Sequence, residues 1–422
     1  MPCIPVANRS LAVESHNNGG AIGLVVFFIL VYSSLRGWII LIFNIPVGIV
    51  YGASSLFLVC LSIYGFLIRS RFVGNAFSRF RSLLLVNLFF GIYFVLSDIL
   101  LRRVIDFSYV YVFLLPYIVF VFLRVPVRWT YAALYIISIG LALSVFDNYF
   151  HTVVQKAGRD YLLEYNARLR PDIATVISTT GNYSRLGGCT GSYHDSANIL
   201  GMLGSYYYVR ALVYKSLRTF AMGLLVFVPM IMSHSATNIV IFILTVFAIM
   251  LYLMYTRGGV KTFLFVVSAS CLFVSLFVCF PELLGFTVRI GPEGDWHGMF
   301  NSLSAGMLVS PFFWIGHGYV FDSEYIKTEV ALLKGVFEYG FFNAILVYLV
   351  VIYPFFLFIK VRRPVILLPY LAPVVFGFLS LLHYGSLFRS TNIGVFYAMY
   401  SLFLLHYVGC RPGSIRQDSN QT

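Results

Sequence analysis

Long apolar runs broken by short polar links set the pattern of this chain. Runs close to the ~20 residues that a helix needs to cross a hydrocarbon core of roughly 30 Å recur along its length. They fall at about 21 to 43, 47 to 68, 82 to 101, 108 to 124, 129 to 147, 196 to 213, 219 to 233, 238 to 255, 262 to 280, 330 to 358, 364 to 384 and 391 to 408. Backbone groups in lipid must bond internally, and a barrel would show short segments of alternating polarity instead. The expected fold class is therefore an all-α polytopic integral membrane protein with about twelve transmembrane helices and two long extracytoplasmic loops.

A single transmembrane domain is expected over 1 to 422. Its spans cover about 21 to 147, 196 to 280 and 330 to 408, with outer loops at about 148 to 195 and 281 to 329 and a cytoplasmic tail at 409 to 422. The apolar run 299 to 315 is expected to be re-entrant or surface-lying, because a further crossing there would carry "KVRR" at 360 to 363 to the outer side.

Composition sharpens this picture. Of 422 residues, 60% are hydrophobic and 11% charged, which excludes a water-soluble globule. A net charge of +13 would suit nucleic acid, but its placement speaks for a membrane face. Arg69, Arg71, Arg79, Arg81, Arg124, Arg128, Arg210, Lys215, Arg218, Arg257, Lys261, Lys360, Arg362, Arg363, Arg411 and Arg416 share one predicted side with both termini, beside only Glu14 and Asp418. By the positive-inside rule this side is cytoplasmic, and no nucleic-acid partner is expected. The polar stretch before the first run lacks a small-residue cleavage site after it and reads as a retained signal anchor. The six cysteines show no CxxC spacing, and there is no HExxH or HxH, so neither a disulfide framework nor a metal or other cofactor is expected. No internal repeat is visible.

Candidate chemistry concentrates on the predicted outer side. In "SRLGGCTGSYHDSANILGMLG" (184 to 204), glycines precede a helix start at which His194 and Asn198 share one face and Asp195 or Ser196 can cap. Free amides and the dipole of a helix N-terminus suit an anion, with Arg185 close in sequence. The same residues also suit a capped helix end beside a headgroup-level arginine. A second constellation, 314 to 346, contains His317, Asp322, Glu324, Lys327, Glu329, Lys334 and Glu338. Glu329 at the head of a span is either a catalytic group or a partner of Lys327 or Arg289, while Lys334 and Glu338 have the spacing of a neutralising pair. Arg289 and Arg389 add cations on this face. Arginine grips phosphate oxygens bidentately, so the cluster points to a phosphate-bearing lipid, with ordinary anionic headgroups as the alternative ligand. Tyr183, Tyr193, Trp296 and Tyr319 are candidates for stacking on sugars, whereas "SYYYVR" (205 to 210) reads as belt and bundle packing.

The order of an arginine before "YHDSANILG", the link "SHSATN", and "GHG" followed by "EVALLKGVFEYGF" resembles the O-antigen ligase and Wzy-type polysaccharide polymerase family over roughly residues 180 to 345. The resemblance implies a GT-C-like helical glycosyltransferase of the bacterial inner membrane. Its donor would be an undecaprenyl pyrophosphate-linked oligosaccharide, used without nucleotide sugar or required metal. Aligning Gly340 with the glycine closing the family's last motif puts Glu329 where a ligase carries histidine. Ala236 and Thr237 stand where the family has its "SR" pair. Both departures favour a repeat-unit polymerase over a lipid A core ligase.

The resulting expectation assigns catalysis to Glu329, Arg185 and Arg289, and substrate binding to His194, Asn198, Tyr193, His317, Lys327 and Arg389. The expected partners are the lipid-linked oligosaccharide, membrane lipids and a chain-length regulator. A glycan-modifying membrane acyltransferase and a glycolipid flippase are the competing classes. The short cytoplasmic loops offer acyl-CoA little purchase, and few ionisable residues fall near the midplane apart from Asp98 and the Lys334/Glu338 pair.

Overall fold

The computed structural model describes residues 19–43, 56–64, 107–150, 188–190, 193–233, 235–257, 339–361, 364–382 and 390–409, with scattered positions in 84–100 and 313–336 and Leu387. Nine α-helices and two 3-10 turns have both bounds among these residues, residues 56–64 are helical as well, and there is no strand among the described residues. The helices are α1 (Gly19–Phe43), α2 (Phe107–Arg124), α3 (Val127–Phe150), α4 (Tyr193–Tyr214), α5 (Leu217–Met232), α6 (Ala236–Arg257), α7 (Phe341–Ile359), α8 (Leu368–Ser380) and α9 (Ser390–Gly409). The 3-10 turns are Gly188–Thr190 and Pro364–Leu367.

The expectation of about twelve transmembrane helices in a GT-C-like bundle is overturned. Among the described residues, three helices are long and apolar enough to cross a membrane: Val127–Asp147, Thr237–Thr256 and Phe341–Ile359. The reasons differ from helix to helix. At 16 and 13 residues, α5 and α8 fall short of the ~20 residues a crossing needs. Although α4 has 22 residues, it carries His194, Asp195, Ser196, Asn198, Ser205 and Arg210 along its length. In α1 the helix kinks at Leu35, where φ −110° and ψ 17° leave the helical region, and the buried Arg36 follows directly on that kink. The expected span from 330 is also divided, because Gly340 at φ +83° stands as the N-cap of α7, a conformation that favours glycine. The expected run 262 to 280, most of 47 to 68 and part of 82 to 101 lie outside the described residues, as does the re-entrant candidate except for Phe313 and Trp314.

Membrane-spanning character is nonetheless plain in the outward faces. On α6, Val240, Leu244, Phe247 and Leu251 are exposed at positions i, i+4, i+7 and i+11, and α7 exposes Phe342, Ile345, Leu349 and Phe356 in a similar stripe. Continuous apolar stripes on helices of this length are stable facing hydrocarbon and unfavourable facing water.

At the centre of the fold is α4, packed against α3, α5, α6, α8 and α9. From Asp195 to Tyr207 every residue is buried, on all sides of the helix. Close approach of α8 depends on Gly201, where an added methyl would overlap the Phe376 ring. Helix directions follow from cross-contacts. Gly23 meets Trp129 and Gly140 meets Leu35, so α1 and α3 run parallel. Asn198 bonds Ser380 while Tyr206 packs on Tyr370, so α4 and α8 are antiparallel. Asn392 meets Asp195 and His406 stacks on Tyr370, so α9 runs with α4. The bundle thus has two chemically distinct ends. One gathers Ser, Asn, Asp and His; the other gathers Tyr and the basic residues Arg128, Arg210, Lys215 and Arg218. Both the first turn of α1 and the last turn of α9 lie at the basic end.

Candidate functional site

The buried polar layer is built where α4, α6 and α9 begin and α3 and α8 end. Its supporting wall is the turn Gly188–Thr190, clamped between α1 and α3. Gly188 adopts φ +53°, and a side chain there would run into Ser144 and Val145. Ser144 Oγ donates to the Leu141 carbonyl at 2.8 Å and accepts from the Cys189 amide at 3.1 Å. Gly37 of α1 lies so close to the Cys189 carbonyl that no larger residue fits. Burial pushes the Cys189 thiol up to about 11. Thr190 Oγ1 and Ser196 Oγ share a 2.7 Å hydrogen bond, which fixes the turn to the first turn of α4.

Three further bonds cross between helices. Asn392 Nδ2 donates to Asp195 Oδ1 at 3.3 Å. Asn198 Nδ2 donates to Ser380 Oγ at 3.1 Å, and Ser380 passes its own proton to the Gly377 carbonyl at 2.7 Å. Asn238 Nδ2 donates to Ser235 Oγ at 2.9 Å, and Ser235 Oγ lies 3.5 Å from His194 Nδ1. Asp195, Asn198 and Asn392 are buried, whereas His194 keeps partial exposure. Interhelical bonds of this sort in membranes are worth about 0.6 to 1.7 kcal/mol each. Nδ1 of His194 is turned toward Ser235.

The two residues expected on one face of α4 therefore occupy different roles in the layer. His194 reaches toward α6 and Asn198 toward α8. Tyr193 opens α4. Arg185, Arg289, His317, Lys327, Glu329 and Arg389 lie outside the described residues, as do Lys334 and Glu338. Among the described residues no group of three or more His, Cys, Asp and Glu side chains could hold a metal ion.

Sequence reasoning overlooked Arg36, Ser235, Ser380 and Asn392. Arg36 is 4% exposed in α1 and close enough to Cys189 to act on its thiol electrostatically. Its signal was available: it is the only charged residue between Gly19 and Phe43, and a charge inside an apolar run is costly unless partnered or functional. Asn392 and Ser380 gave no such signal, since single small polar residues at helix ends are ordinary caps.

Arranged in this way, the layer can orient hydroxyl-rich or anionic groups through the partly exposed His194 and the polar helix ends, where preorganised dipoles are most effective. No protein-family model matches the chain, and no curated protein matches it.

Proposed function

We propose that this chain is a Wzy-type polysaccharide repeat-unit polymerase. It transfers a glycan from undecaprenyl pyrophosphate to a sugar hydroxyl of another lipid-linked repeat unit, on the periplasmic side of the bacterial inner membrane. The observation that carries the reading is the convergence of His194, Asp195 and Asn198 of α4 with Ser235, Asn238 and Asn392 in one polar layer, at the end of the bundle away from Arg128, Lys215 and Arg218. By the positive-inside rule the basic end is cytoplasmic, which puts the polar layer outside and both termini in the cytoplasm.

In this reaction the bond between the anomeric carbon and the pyrophosphate oxygen breaks as the acceptor oxygen bonds to that carbon. The acceptor proton passes to Glu329, a role typically worth about 10² to 10⁴ in rate. The lipid pyrophosphate leaves with the electron pair, its charge met by Arg185 and Arg289 with Arg389, each such donor worth about 3 to 4 kcal/mol. His194, Asn198, Tyr193, His317 and Lys327 orient sugar and phosphate oxygens. A chain-length regulator and the surrounding lipids are the natural partners. No nucleotide sugar or metal enters the scheme.

Glycan banding in a deletion strain tests this. One repeat unit on its normal carrier supports the polymerase. Long polymer left on the lipid carrier would identify a ligase instead, and unchanged length with lost acetyl groups an acyltransferase.

A further inference from the structure

The opposite end of the bundle holds a second arrangement that the proposed reaction does not use. Arg210, one turn before α4 ends, has its guanidinium carbon 5.5 Å from the Tyr131 ring centroid, 5.6 Å from Tyr206 and 5.9 Å from Tyr214. Its NH1 donates to the Tyr206 hydroxyl. The hydroxyls of Tyr131 and Tyr370 bond to each other at 2.7 Å, and Tyr370 stacks on His406 with ring centroids 4.1 Å apart. The residues come from α3, α4, α8 and α9, so four helices meet at this cluster.

The donor count is what makes it unusual. A guanidinium offers five N–H groups and no acceptor, and three phenols add three O–H groups. Within the cluster, the Tyr206 oxygen accepts from Arg210, one oxygen of the Tyr131/Tyr370 pair accepts from the other, and Tyr131 also hydrogen-bonds Tyr206, which still leaves most of the guanidinium N–H groups to spare. His406 Nδ1 must donate, because its partner at 2.8 Å is the Leu402 carbonyl. Donors exceed acceptors, and the electrostatic neighbours of Arg210 among the described residues are phenols and the His406 imidazole, with no carboxylate among them. Arg210 is half-buried and thus reachable, while Arg128, Lys215 and Arg218 stand exposed at the same end. Aromatic rings hold the guanidinium carbon in place, which predisposes its N–H edge to a bidentate oxyanion.

We infer that Arg210, with Tyr131, Tyr206 and Tyr370, binds a phosphate group at the basic end of the bundle. The group is either the headgroup phosphate of an anionic membrane lipid or free phosphate from solution, and the oxyanion chemistry is common to both. This site stands apart from the polymerase reading and survives if that reading fails.

The test uses the purified full chain in a neutral detergent, with thermal unfolding read against increasing phosphatidylglycerol in one arm and inorganic phosphate in the other. Saturable stabilisation is expected in at least one arm; a response to the lipid alone identifies a headgroup site, and a response to phosphate a solute site. Arg210→Gln should abolish it and Arg210→Lys, which keeps the charge but loses the fork, should weaken it about tenfold or more. Arg218→Gln should leave it unchanged. If Arg210→Gln is poorly folded, Tyr131→Phe serves instead, with an expected several-fold weaker midpoint. No stabilisation of the wild-type chain in either arm would overturn the inference. So would equal responses from wild type, Arg210→Lys and Tyr131→Phe, which would make the arginine a packing cation.

Discussion

Asn392 Nδ2 donates to Asp195 Oδ1 at 3.3 Å, joining the first turn of α9 to the first turn of α4 across 197 positions of sequence. Both residues are buried, and the bond holds together the end of the bundle where the polar layer forms. Removing its acceptor should therefore loosen the fold. Asp195→Ala is expected to destabilise the chain by about 1 to 3 kcal/mol, read as a lower unfolding temperature in detergent. Asp195→Asn, which keeps an oxygen acceptor, should lose less. Equal losses would show that the charge, and not the bond to Asn392, is what the site requires.

Helix packing at the centre rests on the absence of a side chain at Gly201. Gly201→Ala places a methyl into the Phe376 ring and should destabilise by about 1 to 3 kcal/mol through overpacking. Adding Phe376→Leu should restore part of that loss. Gly20→Ala is the control, because an added methyl there meets nothing within 4 Å; unfolding midpoints of the four proteins decide the matter.

Cys189 is buried against Ser144 and Arg36, and its thiol is pushed up to about 11 from an ordinary 9.0. At neutral pH it should resist maleimide in the folded chain and react after denaturation. The sign for stability follows from a raised value. Below about 9 both folded and unfolded states hold the proton and folding is unaffected. As the pH climbs from about 9 toward 11 the unfolded state ionises first, so stability falls over that window. In Cys189→Ser the alkaline loss should be smaller, as measured by unfolding temperature against pH.

Much of the helical layout was legible from hydrophobic runs. The run expected at 108 to 124 became α2, and that at 391 to 408 became α9, within one residue at each end. What hydrophobicity did not supply was whether a helix crosses a membrane. In α4, "YHDSANIL" reads as a span only if its polar groups are assumed to face water or lipid; in the fold they face α6, α8 and α9. Likewise 364 to 384 is one apolar run in sequence, yet a 3-10 turn at Pro364–Leu367 leaves α8 with 13 residues. The site was partly legible for the same reason. The charge of Asp195 and the helical spacing of His194 and Asn198 are local signals, while the pairing of Asn392 with Asp195 is set by tertiary packing alone.

His194 and Asn198 should separate function from folding. His194 is partly exposed whereas Asn198 is fully buried, so His194→Ala should move the unfolding temperature less than Asn198→Ala does. The effect of His194→Ala on glycan transfer should be larger, roughly 10- to 100-fold, as expected when an orienting group is lost. Asn198 is fully buried and bonded to Ser380, so Asn198→Ala should lower stability as well as activity. Polymer length in a complemented deletion strain, read beside protein level, distinguishes the two.

Reconstitution tests the central claim most directly. The purified chain, placed in liposomes with undecaprenyl pyrophosphate-linked repeat units and a chelator, should lengthen the glycan with no nucleotide sugar present, and Glu329→Gln should stop it. A correctly folded wild-type chain that leaves every repeat unit at its starting length would contradict the account.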